Sequence, residues 1–379
     1  MKNFKKFTIG MIGAILLSAG LYSCNNDDVT KETEENLQAN LQGKSLEANV
    51  SSMRIDNGIP SVSSNNILVF ESREALEGVF NGMIQEYDKY NEVLDQKIPK
   101  DLTDDDLEDF IVKNNLDEDY TLNNFEKKFG FKSLRKTINE AEASWLETQG
   151  EVMDINTDPD NHFIVSDFER TLLNEGSELI IKNKEKKPVI FKYFEWGHIE
   201  ISDLKTEILR EINQGNINDP QVLESMAANK SFLKIFWKNK DGLIISGCRR
   251  SGKKVEYYYY GGKQIKGFTS QNQGIFDKTL VSKTKGYQWK RGKWRNRKLW
   301  VHAGVSGLNR GDWKVNHNCV DVIDGSADWK DLKRYKVEYR QPNPNSTSMY
   351  VTNNSAYSYH SEGGVSFFVD FYDYNAVQW

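Results

Sequence analysis

The stretch LIIKNKEKKPVIF, Leu179–Phe191, decides the fold class of this chain. Two short apolar runs, Leu179–Ile181 and Val189–Phe191, flank a polar segment of lysine, asparagine and proline. Short runs of this kind around a polar turn are typical of a β-hairpin. Helical patterns precede the hairpin and strand patterns follow it. The sequence therefore predicts an α+β protein, with an N-terminal helix-rich α+β region followed by a mostly antiparallel β domain.

Three segments upstream of the hairpin have the periodicity of amphipathic helices. Ser72 can cap the first, whose apolar residues recur every three or four positions. Thr103, with Asp106 three residues later, resembles a capping box at the start of the second. Ser133 precedes the third, which ends near Gly150. The apolar stripe of the first helix consists of Leu76, Phe80, Met83, Tyr87, Tyr90 and Leu94.

The chain downstream of the hairpin contains turn residues between apolar runs. The pairs Asp241-Gly242, Gly261-Gly262 and Gly363-Gly364 each indicate a tight turn between antiparallel strands. A boundary near residue 225 separates the region that mixes helices and strands from the β-rich region.

The N-terminus has the pattern of an export signal. Three lysines precede the apolar run Phe7–Leu21, which is shorter than the ~20 residues that a membrane-spanning helix needs. The run ends in Leu21-Tyr22-Ser23-Cys24, which resembles the lipobox at which bacterial lipoproteins are lipidated and cleaved. The resemblance implies that Cys24 carries acyl chains such as palmitate and anchors the mature protein to a membrane. Asp27 and Asp28 follow, as in the export signal of Bacteroidota surface lipoproteins, so we expect an outer-membrane location, at the cell surface or on the periplasmic face.

The segment after the lipobox is polar and has little periodicity, so it cannot bury enough apolar surface to fold. We interpret it as a disordered tether between the lipid anchor and the folded part. The predicted organisation is residues 1–23 as the lipoprotein signal peptide, 24–66 as the lipidated Cys24 and its tether, 67–225 as the α+β region, and 226–379 as the β-rich domain.

Two cysteines remain after the lipobox, Cys248 and Cys319. Export places them in an oxidising compartment, where thiols tend to pair. We predict a Cys248–Cys319 disulfide, which would stabilise the fold by about 4 kcal/mol in the chain-entropy model. Two buried free thiols are the alternative.

The stretch KGYQWKRGKWRNRKLWVHAGV, Lys285–Val305, alternates cations with aromatic residues and contains no acidic residue. Among possible ligands, an exported location favours an acidic glycan or an anionic envelope polymer, because arginine pairs with carboxylates and phosphates. Nucleic acid is not expected at that location. The alternative is a sheet whose tryptophans belong partly to the core and whose cations keep an edge strand soluble. The candidate ligand-binding residues are Trp289, Arg291, Trp294, Arg295, Arg297 and Trp300.

Catalytic and metal-binding motifs are not recognisable in the sequence, which has no nucleophile elbow, metalloprotease motif or nucleotide-binding loop. Asp154, Asn156 and Asp158 alternate like the first ligands of a calcium loop. Pro159 and Val165 stand where such a loop needs glycine and glutamate. A turn with hydrogen bonds from side chains to the backbone is the favoured interpretation. We therefore predict no catalytic residue, no metal site and no cofactor.

The layout of the chain resembles uncharacterised Bacteroidota lipoproteins that contain a domain of unknown function. The resemblance rests on the lipobox and on the segments NILVFESREAL, FGFKSLRKTINEAEASW and DPDNHFIVSDFERTLLNEGSELII, and it covers roughly residues 66–215. It implies a surface or periplasmic lipoprotein and assigns no catalytic residue. We expect a non-enzymatic binding or interaction module whose partners are the membrane, a glycan or anionic polymer, or another envelope protein. A surface hydrolase of glycans or peptides and a structural subunit of an outer-membrane assembly are the alternatives.

Overall fold

The computed structural model describes the backbone of residues 59–99, 101–161, 166–194, 197–203, 210–212, 214–215, 217, 219–228, 230–237, 248–249, 252–273, 278–296, 299–307, 328–334, 336–342, 351–352, 356–362 and 365–370. All of these ranges belong to one compact unit that begins at Met53. None of the helices within them has the length and apolar character of a membrane span.

A six-stranded mixed sheet forms the centre of the N-terminal region, with its strands in sequence order. The strands are β1 (Ser61–Val62), β2 (Leu68–Phe70), β3 (Glu178–Lys182), β4 (Pro188–Phe194), β5 (Gly197–Ile201) and β6 (Leu233–Trp237). Strands β2 and β3 are parallel, and the other neighbouring pairs are antiparallel. The β3–β4 hairpin is the one predicted at Leu179–Phe191, and Leu179 pairs with Phe191 in it.

Most helices lie in the crossover between β2 and β3, because parallel neighbours need a long connection. The helices are α1 (Arg73–Lys97), α2 (Asp104–Lys113), α3 (Tyr120–Phe129), α4 (Leu134–Thr148), α5 (Asp167–Leu172) and α6 (Pro220–Ala227). Ser72 and Thr103 cap α1 and α2 as predicted, and α4 begins after Ser133, which also caps it; each accepts a hydrogen bond from a backbone N–H of the first turn. Helices α3, α5 and α6 were not predicted, since with 10, 6 and 8 residues they show too little periodicity.

The two faces of the first sheet bury separate cores, because side chains alternate along each strand. On one face, Leu179, Ile181 and Phe191 pack with apolar residues of α1, α3, α4 and α5. On the other face, Ile180 and Ile190 pack with apolar residues that include those of α6. Burial on both faces explains why the hairpin strands are continuous apolar runs instead of alternating ones.

The β-rich region consists mainly of a five-stranded and a four-stranded antiparallel sheet. The five-stranded second sheet contains β8 (Gly252–Tyr260), β9 (Lys263–Gln273), β10 (Lys278–Lys290), β11 (Lys293–Asn296) and β14 (Lys336–Pro342). The third sheet contains β12 (Leu299–Gly307), β13 (Asp328–Arg334), β16 (Ala356–Glu362) and β17 (Val365–Asp370). Strands β7 (Cys248–Arg249) and β15 (Val351–Thr352) pair with each other.

The predicted fold class is confirmed: a helix-rich α+β region is followed by a strand-rich region. Strands of the first sheet lie beyond two predicted boundaries, the end of the tether at residue 66 and the end of the α+β region at residue 225. Strand β1 at Ser61–Val62 falls within the segment predicted as a disordered tether, and β6, beyond residue 225, pairs with β5 in the first sheet. The division of the chain into domains stays a prediction. The predicted turn at Gly261-Gly262 joins β8 to β9, whereas Asp241-Gly242 lies outside the described residues.

Candidate functional site

The predicted ligand-binding stretch forms the β10–β11 hairpin, whose end lies beside the end of the β8–β9 hairpin. The Trp289 amide joins the two by donating a hydrogen bond to the Gly262 carbonyl 2.7 Å away. Arg291 and Gly292 form the two-residue turn, with φ angles of 57° and 77°. Two positive φ angles are the mark of a type I′ turn, for which Asn-Gly is the preferred sequence.

The tryptophans of this hairpin share the face of β10 that carries the buried Lys285, whereas Lys290 and Arg295 lie on the other face. Trp289 and Trp294 are cross-strand partners whose ring centroids lie 5.7 Å apart. Trp294 is 1% exposed, and its indole nitrogen donates a hydrogen bond to the Gly150 carbonyl 2.8 Å away. Arg295 follows Trp294 directly in β11 and is exposed. Alternation along the strands therefore turns Trp289 and Trp294 toward the segment after α4 and Arg295 away from it.

The structure corrects the prediction that Trp294 presents its ring to a ligand. Its ring packs with apolar residues of α4 and the following loop, and this packing together with the paired indole N–H makes it part of the core. Trp289 is half-buried against the same cluster. Arg297 lies outside the described residues. Trp300 lies in β12, and its side chain is outside the described part of the structure.

The exposed end of the hairpin is cationic. Lys290 and Lys293 are cross-strand partners, with Arg291 in the turn between them. Lys293 lies 3.4 Å from the exposed carboxylate of Glu147, a distance at which a surface pair contributes little. Arg291 and Arg295 are exposed and form no ion pair with a described residue. We call the following set the hairpin tip: Tyr259, Trp289, Lys290, Arg291, Lys293 and Arg295.

A second group of polar side chains is buried between α4, the segment 154–161, α5 and the second sheet. It contains four carboxylates and four cations, each at most 9% exposed. Charges can be buried in this way only when each has an opposite charge within hydrogen-bonding reach. We call this group the ion cluster; its members are Glu142, Asp158, Asp160, Asp167, Arg170, Lys266, Lys283 and Lys285.

Asp160 is at the centre of the ion cluster. Its Oδ2 lies 2.9 Å from the Lys266 ammonium and 3.0 Å from the Lys285 ammonium. Its Oδ1 accepts a hydrogen bond from Arg170 and lies 4.0 Å from the Lys283 ammonium. One carboxylate from the segment after α4 thus connects α5 with β9 and β10.

Two tyrosines, the half-buried Tyr257 and the buried Tyr287, complete the hydrogen bonding at the edge of the ion cluster. The Tyr257 hydroxyl donates a hydrogen bond to Asp158 Oδ2 at 2.7 Å. The Tyr287 hydroxyl donates one to Glu142 Oε1 at 2.8 Å, and the Lys285 ammonium lies 2.8 Å from both oxygens of that carboxylate. The outer carboxylates are therefore as well satisfied as the central one.

A tight turn places the carboxylates of the segment 154–161. Asp154 Oδ1 accepts a hydrogen bond from the Asn156 amide at 3.2 Å, and Asp158 Oδ1 accepts one from the Asp160 amide at 2.8 Å. These bonds from backbone to side chain confirm the turn interpretation of the segment. The other oxygen of Asp158 lies 2.9 Å from the Lys266 ammonium, so the turn also orients this carboxylate toward the second sheet.

The electrostatics of the ion cluster favour a structural role. Burial alone would raise the pKa of the Asp160 carboxyl, but the four cations of the cluster hold it well below its ordinary value. Burial and the nearby carboxylates raise the pKa of Tyr257 and of Tyr287. A carboxylate with a lowered pKa is a weak base, and a tyrosine with a raised pKa is a weak acid. The cluster is therefore suited to holding the helical region against the second sheet.

The sequence analysis did not identify the ion cluster. Lysines two positions apart, such as Lys283 and Lys285, usually belong to a solvated strand face, and the aspartates of DPDN were interpreted only as turn residues. One feature of the sequence could have indicated the ion cluster: Lys283 and Lys285 are two positions apart, so their side chains must lie on the same face of the strand.

The predicted lipidation and disulfide sites fall mostly outside the described residues. Cys24 and Cys319 both do, and Cys248 lies in β7 opposite Thr352. Lipidation at Cys24 and the Cys248–Cys319 disulfide therefore stay predictions. Within the described ranges, no group of three or more histidine, cysteine, aspartate or glutamate residues is arranged to hold a metal ion.

Comparison with known proteins gives one weak structural neighbour. No protein-family model matches the chain, and no curated protein matches it in sequence. A DUF4848 family protein from Bacteroides thetaiotaomicron is similar with a TM-score of 0.19 and 11% sequence identity, over 82% of this chain and 98% of that one. The neighbour is of the kind predicted from the sequence, a Bacteroides protein of a family of unknown function.

Proposed function

We propose that this protein is a lipid-anchored protein of the outer membrane that binds an acidic glycan or another anionic envelope polymer without catalysis. The lipobox at Cys24 supports the location, because it directs export and anchoring. The hairpin tip supports the binding activity, because its exposed arginines can pair with carboxylates or phosphates.

The observation that carries the proposal is the conformation of Arg291. A residue other than glycine with a φ of 57° is strained, by about 1 kcal/mol. Asparagine at this position would form the same turn with less strain. An exposed arginine kept in an unfavourable backbone conformation indicates selection for its side chain and not for stability.

The neighbours of Arg291 support the same conclusion. Lys290 and Lys293 are directly opposite across the strands, so two ammonium groups lie beside the turn, and Lys293 is also near the exposed Glu147 carboxylate. Arg295 adds a further exposed cation two residues along β11. The exposed Arg291 and Arg295 can pair with the charges of an anionic polymer but not with a neutral glycan. Tyr259 is 51% exposed, and its ring packs edge-on against Trp294 on the tryptophan side of the hairpin, where it can contact a sugar ring at the edge of the tip.

Reversing the two unpaired arginine charges should abolish polymer binding. We expect R291E/R295E to bind at least about 100-fold more weakly than the parent, because two charge-assisted hydrogen bonds are lost. The measurement is binding of the chain from Asn25 to Trp379 to arrays of glycans, lipopolysaccharides and anionic envelope polymers, at low and physiological salt. The matched control is K89E/K136E, which makes the same change of charge on exposed helical lysines.

A third variant separates charge from folding. R291N should keep or slightly raise stability, since asparagine suits the turn, and should still weaken binding. Equal binding by R291E/R295E and K89E/K136E would remove the hairpin tip as the site. The absence of any polymer that the parent binds at physiological salt would overturn the proposed function itself.

A further inference from the structure

A cavity of about 570 Å³ lies beside the N-terminus of α1, over strands β3 to β6 of the first sheet. A volume in this range accommodates a small molecule. The floor of the cavity is apolar. It is formed by Ile181 of β3, by Val189 and Phe191 of β4, and by Phe232, which directly precedes β6. None of its lining residues belongs to the hairpin tip or to the ion cluster.

Glu200 lies in the middle of this floor. In the sheet register it is the cross-strand partner of Phe191 on β4 and of Lys234 on β6. Its side chain is half-buried, and it forms no hydrogen bond or ion pair with a described residue. Burial raises the pKa of this carboxyl, and the charges of Lys234 and Arg73 offset that effect only in part. A ligand that donates a hydrogen bond to Glu200 would supply that compensation.

The remaining charges on the cavity wall give the ligand a second attachment point. Glu71 is already paired with Lys182. Lys184, Lys186 and Lys234 line the cavity and form no ion pair with a described residue. The cavity therefore presents one carboxylate without a hydrogen bond, several ammonium groups and an apolar floor between them.

We propose that this cavity binds a small zwitterion with an apolar side chain, in the simplest case a free apolar amino acid. The ligand ammonium donates a hydrogen bond to Glu200, and its carboxylate lies against the lysine ammonium groups. The apolar side chain packs on Phe191 and Phe232. Of the charged groups, an amine without a carboxylate would contact only Glu200, and a carboxylic acid without an amine would contact only the lysines.

Calorimetry with three related probes tests the proposal on the purified full chain in nonionic detergent. L-phenylalanine should bind with a Kd of about 1 mM or tighter, which suits a ligand of this size. Phenethylamine lacks the carboxylate and 3-phenylpropionate lacks the ammonium, and each should bind at least about tenfold more weakly. E200Q should weaken phenylalanine binding by about tenfold or more and leave 3-phenylpropionate binding unchanged.

Two further variants make the result decisive. E92Q makes the same chemical change at an exposed position of α1 and should bind phenylalanine as the parent does. K234Q should weaken phenylalanine and 3-phenylpropionate but not phenethylamine. The proposal is overturned if phenylalanine shows no heat of binding at about 10 mM, or if E200Q binds it as tightly as E92Q does. Neither result bears on polymer binding at the hairpin tip.

Discussion

Asp160→Asn should destabilise the protein by about 3–5 kcal/mol. The substitution keeps the size of the side chain and removes one of the four carboxylates of the ion cluster. Four buried cations then face three carboxylates, and the Lys266 and Lys285 ammonium groups lose their shared charged partner. An unpaired buried charge raises the free energy of the folded state, because the charge loses its hydration and gains no interaction of equal strength. Guanidinium unfolding followed by circular dichroism measures the change.

The matched control for this prediction is Asp88→Asn on the exposed surface of α1, which should change stability by less than about 0.5 kcal/mol. A second variant tests the reason. D160N/K266M restores equal numbers of buried charges, so it should be more stable than D160N alone. Asp158 keeps the hydrogen bonds from Tyr257 and from the backbone amide of residue 160 in that variant. Equal stability of D160N and D88N would contradict the structural role of the cluster.

The pH dependence of stability gives an independent check on Asp160. Its pKa is lowered in the folded protein, so its contribution is present above the unfolded value of about 3.9 and is lost as pH falls through the folded value. The difference in stability between the parent and D160N should therefore be largest near pH 7 and should narrow below about pH 4. A difference that widens on acidification would show that Asp160 is not held ionised by its neighbours.

Local sequence rules predicted the elements that depend on a few neighbouring residues. Ser72, Thr103 and Ser133 cap helices because a side-chain oxygen at that position satisfies a backbone N–H within three residues. The hairpins at Leu179–Phe191 and Gly261-Gly262 were predictable for the same reason, since turn residues and flanking apolar runs lie together in the chain.

Long-range pairing explains what the sequence could not predict. Lys285 in β10 contacts Glu142 in α4, which is 143 residues away in the chain, and no local pattern indicates that this strand and this helix pack together. The cationic and aromatic stretch was a different case. The alternation of cations and aromatic residues was recognised in the sequence. Which of the two strand faces is buried depends on the position of α4, and residues 285–305 contain no information about that position. The sequence analysis left both readings open, and the structure assigns Trp294 to the core and Arg295 to the surface.

Trp294→Ala should destabilise the protein by about 3–5 kcal/mol, the range for removing a buried aromatic side chain. The ring fills the space against Trp145 and Met153, and its N–H satisfies the Gly150 carbonyl. Trp294→Phe keeps a buried aromatic ring but loses that hydrogen bond and part of the ring volume, so it should cost about 2–3 kcal/mol, less than Trp294→Ala.

Polymer binding distinguishes this structural role from the ligand contact that the sequence suggested for Trp294. Under conditions in which the protein is folded, W294F should bind the polymer within about twofold of the parent, because the buried ring does not reach the ligand. R291E/R295E should lose binding while it unfolds at the same denaturant concentration as the parent, because its side chains are exposed. If W294F instead unfolded like the parent and lost binding, Trp294 would contact the ligand, and the indole would have to leave the core when the polymer binds.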